Sequence, residues 1–433
     1  MIKNTVDLIT MGCSKNLVDT ERLMASLGRS GYKTRHNPHD VNAEIAVVNT
    51  CGFIGDAKEE SIEMILDLAN AKKQGKIKKL LVMGCLSERY MKELQKEIPE
   101  VDSWFGKFNW NGIVKEISGK EEAHGHKPWE RVLTTFPHSA YVKISEGCNR
   151  RCAFCAIPLI TGPHKSRPAI EILDEVKNLR DAGVKEFNII AQDLSSYGTD
   201  ISHRQELPAL INDMARLEGV EWIRLHYAYP AQFPLEVLDV MRENANVCNY
   251  LDIALQHISD PVLTNMRRNI TSDETYRLIE KIREKVPGIH LRTTLMVGFP
   301  GEGEKEFGEL MKFVAEVQFE RMGAFAYCEE EDTWGAKKFK DLVPPEEKER
   351  RLDTLMQLQE EISNDIQQLK VGNTYKVLVD REEDGKYIGR TQWDSPEVDP
   401  EVIIDADNLT PGRFYEVGIK QATPFELYGE VRQ

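Results

Sequence analysis

Short apolar runs alternate with amphipathic stretches along most of this 433-residue chain, and nothing else in it constrains the fold as strongly. Runs over 6–11, 44–49 and 79–83 are followed by helical patterns near 18–30, 56–73 and 87–97. An aperiodic stretch rich in Gly, Pro, His and charge over 118–138 reads as a linker. Six more runs follow, near 139–144, 186–191, 222–227, 250–255, 290–297 and 322–327. Helical patterns come after each, near 168–182, 205–217, 234–245, 272–286, 303–317 and 346–369. Parallel strands need a crossover, so strand–helix alternation predicts parallel sheets faced by helices. Six units suit a partial barrel better than a closed eight-stranded one, with chemistry at the carboxyl ends of the strands. The last stretch changes character: five short runs rich in Val, Ile, Tyr and Phe, separated by turn residues such as Asp384-Gly385 and Pro411-Gly412. The expected architecture is therefore α/β: a parallel-sheet domain over 1–130, a (β/α)6 partial barrel over 137–370 and a small all-β barrel or sandwich over 371–433.

Composition narrows the setting. No apolar run reaches the length of a bilayer span, and Met1 to Asp7 lack the apolar core and cleavage site of a signal peptide, so a cytoplasmic protein with no membrane partner is expected. The net charge of −15 makes the whole chain a poor non-specific binder of phosphate backbones, although it leaves room for a local basic patch. In a reducing compartment the eight cysteines need an account other than disulfides. Cys248 and Cys328, without cysteine neighbours in sequence, are expected to act as small buried hydrophobes.

The other six carry a pattern. Cys148, Cys152 and Cys155 form a C-x3-C-x2-C loop directly after the first barrel strand. Three thiolates this close can wrap one iron–sulfur cluster or a zinc ion. Zinc in a closed site would want a fourth ligand, which the loop lacks. On a four-iron cube, three thiolates leave one iron open to a substrate. Cys13, Cys51 and Cys85 are dispersed, but each ends one of the three N-terminal strands beside a glycine. Carboxyl ends of parallel strands share one sheet edge, so these thiols are expected to converge there.

Several stretches are similar to a known family. The C-x3-C-x2-C loop, with an aromatic residue before its last cysteine, resembles the radical S-adenosylmethionine (SAM) superfamily. Gly12-Cys13-Ser14-Lys15-Asn16, Asn49-Thr50-Cys51-Gly52-Phe53-Ile54 and Gly84-Cys85 resemble the methylthiotransferases within it. Glu146 to Cys152, Leu255 to Asp260 and Val297 to Glu302 extend the likeness through the barrel, and the C-terminal domain is similar to a TRAM barrel. The resemblance implies two 4Fe–4S clusters, one on each cysteine set, and SAM as both radical source and methyl donor. It implies that Phe154 lies beside the adenine and that Gly298 and Pro300 let backbone approach the adenosine, with Gln192 and Gln256 as polar candidates in the SAM cleft. An external electron donor and a sulfur source are implied as well.

The family divides between tRNA adenosine and an aspartate of small-subunit ribosomal protein 12, modified at its β-carbon. Residues 371–433 hold seven Lys and Arg against thirteen Asp and Glu, a balance of −6. Such a surface repels a phosphate backbone and attracts a basic protein. That balance, with the wording around Cys13 and Cys51, favours the ribosomal protein, free or on the small subunit, over tRNA. A non-catalytic iron–sulfur carrier would not need a six-unit barrel with a SAM-shaped cleft.

Overall fold

The computed structural model describes residues 1–120 and 130–432. The linker expected over 118–138 falls partly on 121–129, outside the described residues.

The first sheet has five parallel strands in the order Lys33–His36, Ile2–Thr10, Ala43–Thr50, Lys79–Gly84, Ser103–Trp104. Its three central strands are the apolar runs read from the sequence. The two outer strands escaped that reading because one is polar and half-buried and the other is two residues long. Both faces are covered. Ile65, Leu68, Leu80 and Val82 belong to a core on one side, and Leu23, Leu27, Val47 and Leu81 to a core on the other.

Six parallel strands form the second sheet, in the order Arg321–Ala326, His290–Val297, Val247–Ile253, Trp222–Ala228, Glu186–Ile190, Ser139–Lys143. They are not closed into a ring, so the partial (β/α)6 barrel expected from the alternation is present. The largest core, from Ala140 and Val142 through Phe187, Leu225, Leu291 and Phe313, packs these strands against their helices. The helix Pro345–Gln368 packs through Leu352 and Met356 on the face of the last strand that carries Met322 and Ala324, and leads to a closed five-stranded barrel, Thr374–Glu383, Lys386–Thr391, Glu401–Ile404, Glu426–Val431 and Phe414–Ala422. The first hairpin of that barrel turns on Asp384 (φ 50°) and Gly385 (φ 75°), the two positive φ angles that a tight two-residue hairpin requires. Among the described residues no helix is long and apolar enough to cross a membrane.

Buried charge joins the three domains. Asp19, on the helix Ser14–Arg29, takes ion pairs from Lys107 at 3.0 Å and from Lys143 of the first barrel strand. Glu186 accepts from Arg224 at 2.9 Å and from Arg390 of the C-terminal barrel at 2.8 Å, and Arg390 also pairs with Asp380. Asp394 and Asp399, in the loop after Lys386–Thr391, pair with Arg321 and Arg292 of the barrel. Cys248 is buried as expected, beside Trp222 and Tyr250. Cys328 is not: it is exposed, because it lies just past the end of the edge strand Arg321–Ala326.

A cavity lined by six cysteines

Adjacent strands Ile2–Thr10, Ala43–Thr50 and Lys79–Gly84 end in register, Thr10 opposite Asn49 and Thr50 opposite Gly84. Cys13, Cys51 and Cys85 follow those ends and therefore sit side by side. Approach is close enough that a Cβ on Gly12, whose φ is +88°, would stand 2.7 Å from Cys51 Cβ. Asn16 ties the three ends together. Its Nδ2 donates to Met11 O and Thr50 O, both at 3.0 Å, and its Oδ1 faces Cys85 Sγ at 3.7 Å.

The second set hangs from the first barrel strand. Cys148 N donates to Gly162 O at 3.2 Å and Ala153 N to Met266 O at 2.9 Å, which pins the loop across the barrel mouth. Arg268 Nη1 lies 3.2 Å from Cys152 Sγ, and Tyr229 Oη donates to Arg268 O at 2.6 Å. The guanidinium groups of Arg150 and Arg268 lie 4.3 and 4.1 Å from the Tyr229 ring centroid, and Asp193 holds Arg150 at 2.6 Å.

All six cysteines line one cavity of about 400 Å³, roofed by the N-terminal sheet edge and floored by the barrel mouth. Its volume falls in the range of a small-molecule site. Phe154, Gln192 and Gln256 line it too. Gln192 Nε2 donates to Glu146 at 2.9 Å, while the Oε1 atoms of Gln192 and Gln256 are buried without a partner. Two orphaned acceptors in an otherwise largely apolar chamber suit a ligand that brings N–H donors. Gln256 holds a left-handed backbone, φ 74°, locked by Thr294 O at 2.9 Å and Met296 N at 2.7 Å; strain of this kind persists where surrounding structure over-determines it.

Gly298 and Pro300 are placed elsewhere. They do not line the cavity. A Cβ on Gly298, φ +74°, would meet Lys348 Cγ at 2.4 Å, and Pro300 O accepts from Asn265. The stretch around them is tied by Glu302, which accepts from Gly298 N at 2.9 Å, contacts His257 Nε2 at 3.1 Å and pairs with Arg351. Gly298 thus packs against Lys348 of the helix Pro345–Gln368, and Pro300 against Asn265.

Burial pushes the Cys148 thiol up to about 11 and Cys85 up to about 12, and raises Cys51 and Cys155 as well. At Cys13 burial also opposes ionisation, but Lys15 and Lys107 prevail and hold the thiol below its usual value. Cys13 is open to the cavity although protein surrounds it. Buried thiols that resist ionisation are what a bound metal centre reverses, since its positive charge deprotonates a coordinating thiol. Among the described residues no three His, Cys, Asp or Glu side chains gather tightly enough for a single ion. A cube differs, because its three thiolates attach to three separate irons and need not meet at one point. Three convergent thiols per set, around one shared chamber, fit a pair of such clusters.

Lys15, Tyr227, Tyr229, Asp193 and Arg268 also line this region, and only Lys15 lies in a stretch that the sequence singled out. Arg268 reaches Cys152 across 116 positions of sequence, so no local pattern marks it.

The acidic balance of the C-terminal barrel is smaller at the surface than in the sequence. Asp380, Asp394 and Asp399 point their carboxylates into buried ion pairs with the barrel or beneath it, as does Arg390. Glu382, Asp384, Asp405 and Asp407 remain exposed.

Residues 142–314 match the Radical SAM superfamily, residues 5–106 the Uncharacterized protein family UPF0004, and residues 371–431 the TRAM domain. Relatives named ribosomal protein uS12 methylthiotransferase RimO share full-length similarity with this chain. The Parabacteroides distasonis protein is 58% identical over 432 residues and the Phocaeicola vulgatus protein 59% identical over 433, each covering 100% of both chains. The Cytophaga hutchinsonii protein is 48% identical over 433 residues, 99% of this chain and 98% of that one. Among solved structures, the radical SAM methyltransferase TsrM from Kitasatospora setae, with cobalamin and a [4Fe-4S] cluster bound, matches with a TM-score of 0.55 at 13% identity over 75% of each chain. The cobalamin-dependent radical enzyme OxsB, with aqua-cobalamin and SAM bound, matches with a TM-score of 0.52 at 13% identity, over 82% of this chain and 56% of that one. At such identities these two speak for the fold alone.

Proposed function

The chain belongs to the RimO family of ribosomal protein uS12 methylthiotransferases, and from that premise we propose that it inserts a methylthio group at the β-carbon of an aspartate in uS12, with six cysteines as the ligands of two 4Fe–4S clusters. One observation carries the reading: both cysteine sets open into the same chamber, so a radical made on one side and sulfur held on the other can reach a single substrate carbon. With SAM and both clusters bound, the site supplies one-electron cleavage of SAM and transfer of a methylthio unit, chemistry that no tuned side-chain acid or base can perform at an unactivated C–H bond.

The chain's own residues position and insulate that chemistry. Cys148, Cys152 and Cys155 hold the cluster that receives SAM; Cys13, Cys51 and Cys85 hold the one that carries sulfur. Arg268, donating toward Cys152 sulfur, draws charge from that ligand, one of the levers by which a protein tunes cluster potential. Phe154 offers a flat apolar face for adenine, set edge-on against Phe299 at 6.3 Å. The unpartnered Oε1 atoms of Gln192 and Gln256 would accept N–H groups of SAM. Phe53, Ile54, Ile157 and Ile160 give the chamber an apolar wall. An external reductant and a sulfur source complete the cycle.

The test incubates reconstituted enzyme, SAM, sulfide and a low-potential reductant with purified uS12, assembled small subunits or tRNA, and reads mass. A methylthio gain on the uS12 aspartate is expected. Gain on tRNA adenosine alone would overturn the substrate assignment.

A further inference from the structure

The barrel has a free edge. Strand Arg321–Ala326 pairs only with His290–Val297. Tyr327 N donates back to Val297 O at 2.8 Å, so strand alternation turns the N–H and C=O groups of Met322, Ala324 and Ala326 outward. Among the described residues nothing hydrogen-bonds these groups. Proteins usually blunt such edges with charge, proline or a bulge. Met322-Gly323-Ala324-Phe325-Ala326 has no charge and no proline, and its pairing with the neighbouring strand runs without a register shift.

A groove of about 410 Å³ runs beside the first half of this strand, between the helix Pro345–Gln368 and the C-terminal barrel. Four observations suit it to an extended, basic polypeptide. Gly323 has nothing within 4 Å of where a Cβ would stand, so the face of the strand beside the groove is open to a side chain of an added segment. Gln359, only 4% exposed, lines the groove and spends Nε2 on Phe319 O while its Oε1 lacks a partner. Val398 and Phe425 expose apolar side chains along it. Asp353 and Glu360 add exposed carboxylates that pair with no described cation.

The groove also leads somewhere. Arg292 and Val398 line both it and a second cavity of about 210 Å³. That cavity reaches Gly12, Cys13 and Tyr227, which in turn line the six-cysteine chamber.

We propose that the free edge of Arg321–Ala326 is the docking strip for an extended basic segment of the ribosomal-protein substrate. Main-chain hydrogen bonds to Met322, Ala324 and Ala326 hold the segment, and the neighbouring cavities mark the direction of its continuation toward Cys13. This is strand addition, in which backbone pairing supplies affinity and flanking pockets supply selectivity. It rests on the uS12 reading and adds where the enzyme grips its substrate.

Hydrogen exchange and one substitution test it. On adding purified uS12 to the cluster-loaded enzyme, amides of the segment 320–328 should gain protection. Gly323→Val suits a strand and its Cβ has open space, so iron content and 5′-deoxyadenosine formation should match the parent. Methylthiolation of uS12 should fall about tenfold, and the uS12-dependent protection should vanish. Asp353→Lys with Glu360→Lys should weaken uS12 capture most at low salt. If the parent enzyme modifies uS12 yet segment 320–328 gains no protection and Gly323→Val turns over at the parent rate, the docking strip is wrong and the substrate reading stands. If the parent modifies tRNA and not uS12, both fall.

Discussion

Asn16 shows how one side chain organises a site. Its amide reaches the ends of two strands and faces the cysteine of a third, from a position that is 1% exposed. Asn16→Ala strands the carbonyls of Met11 and Thr50 in the interior, at about 1–3 kcal/mol for each group left unsatisfied. In a background where Cys148, Cys152 and Cys155 are Ala, Asn16→Ala should reduce the remaining iron by more than half and broaden the cluster's EPR signal; unchanged iron and spectrum would show that the strand ends hold their spacing without it. Asp252 makes a different prediction. Burial drives its carboxyl up to about 6, against the opposing pull of Arg292 and with help from Asp399. A carboxyl raised in the folded state contributes stability below its unfolded value, and that contribution is lost as pH rises through about 6. Asp252→Asn keeps the neutral form at every pH. Its stability advantage over the parent should be small near pH 3, about half developed near pH 5, and about 3 kcal/mol larger at pH 8 than at pH 3, read from denaturant midpoints. A difference independent of pH would refute the assignment.

At the scale of elements, two parallel sheets present their carboxyl edges to each other, and each edge carries three thiols. The arrangement predicts that the two sets act separably. Replacing Cys13, Cys51 and Cys85 with Ala should remove about half the iron and stop sulfur insertion, while SAM cleavage to 5′-deoxyadenosine persists, because Arg268, Tyr229 and the loop contacts of Cys148 and Ala153 lie wholly in the barrel. Loss of cleavage in a variant that retains SAM and an intact barrel cluster would contradict this division. Two elements went unforeseen in the first sheet for a plain reason: Lys33–His36 and Ser103–Trp104 bury too few apolar side chains to produce a period.

Across the whole molecule, buried ion pairs sit beside apolar clusters where the domains meet, Leu378 and Phe414 against Trp222 and Tyr250, and Val18 against Tyr141 and Ile190. Glu186 is fully buried between Arg224, Arg390 and the Ser139 hydroxyl, and the two arginines hold its carboxyl far below the usual range despite burial. Glu186→Gln leaves two guanidinium groups short of their counter-charge inside the protein. Such a loss costs about 3–5 kcal/mol and should free the C-terminal barrel to proteolysis at residues 369–373, between the helix Pro345–Gln368 and the strand Thr374–Glu383. Glu401→Gln, a part-exposed partner of Arg381, serves as the control and should cost under about 1 kcal/mol. Equal effects from the two substitutions would mean that Glu186 does not hold the domains together.

Local periodicity and cysteine placement were enough to read three domains, a six-unit open barrel, an all-β C-terminal domain and two sets of three thiols at strand ends. They were enough because a strand's apolar run and its terminal loop are written in adjacent residues, and parallel pairing then places every such loop on one edge. Tertiary structure alone decided the rest. It brought Arg268 to Cys152 and Gln192 to Glu146, and it turned Gly298 and Pro300 away from the chamber toward Lys348 and Asn265. It also hid three acids of the C-terminal barrel in ion pairs that a count of charges cannot see. Each of these outcomes depends on how domains pack across tens or hundreds of residues, and sequence spacing carries no record of distances made by that packing.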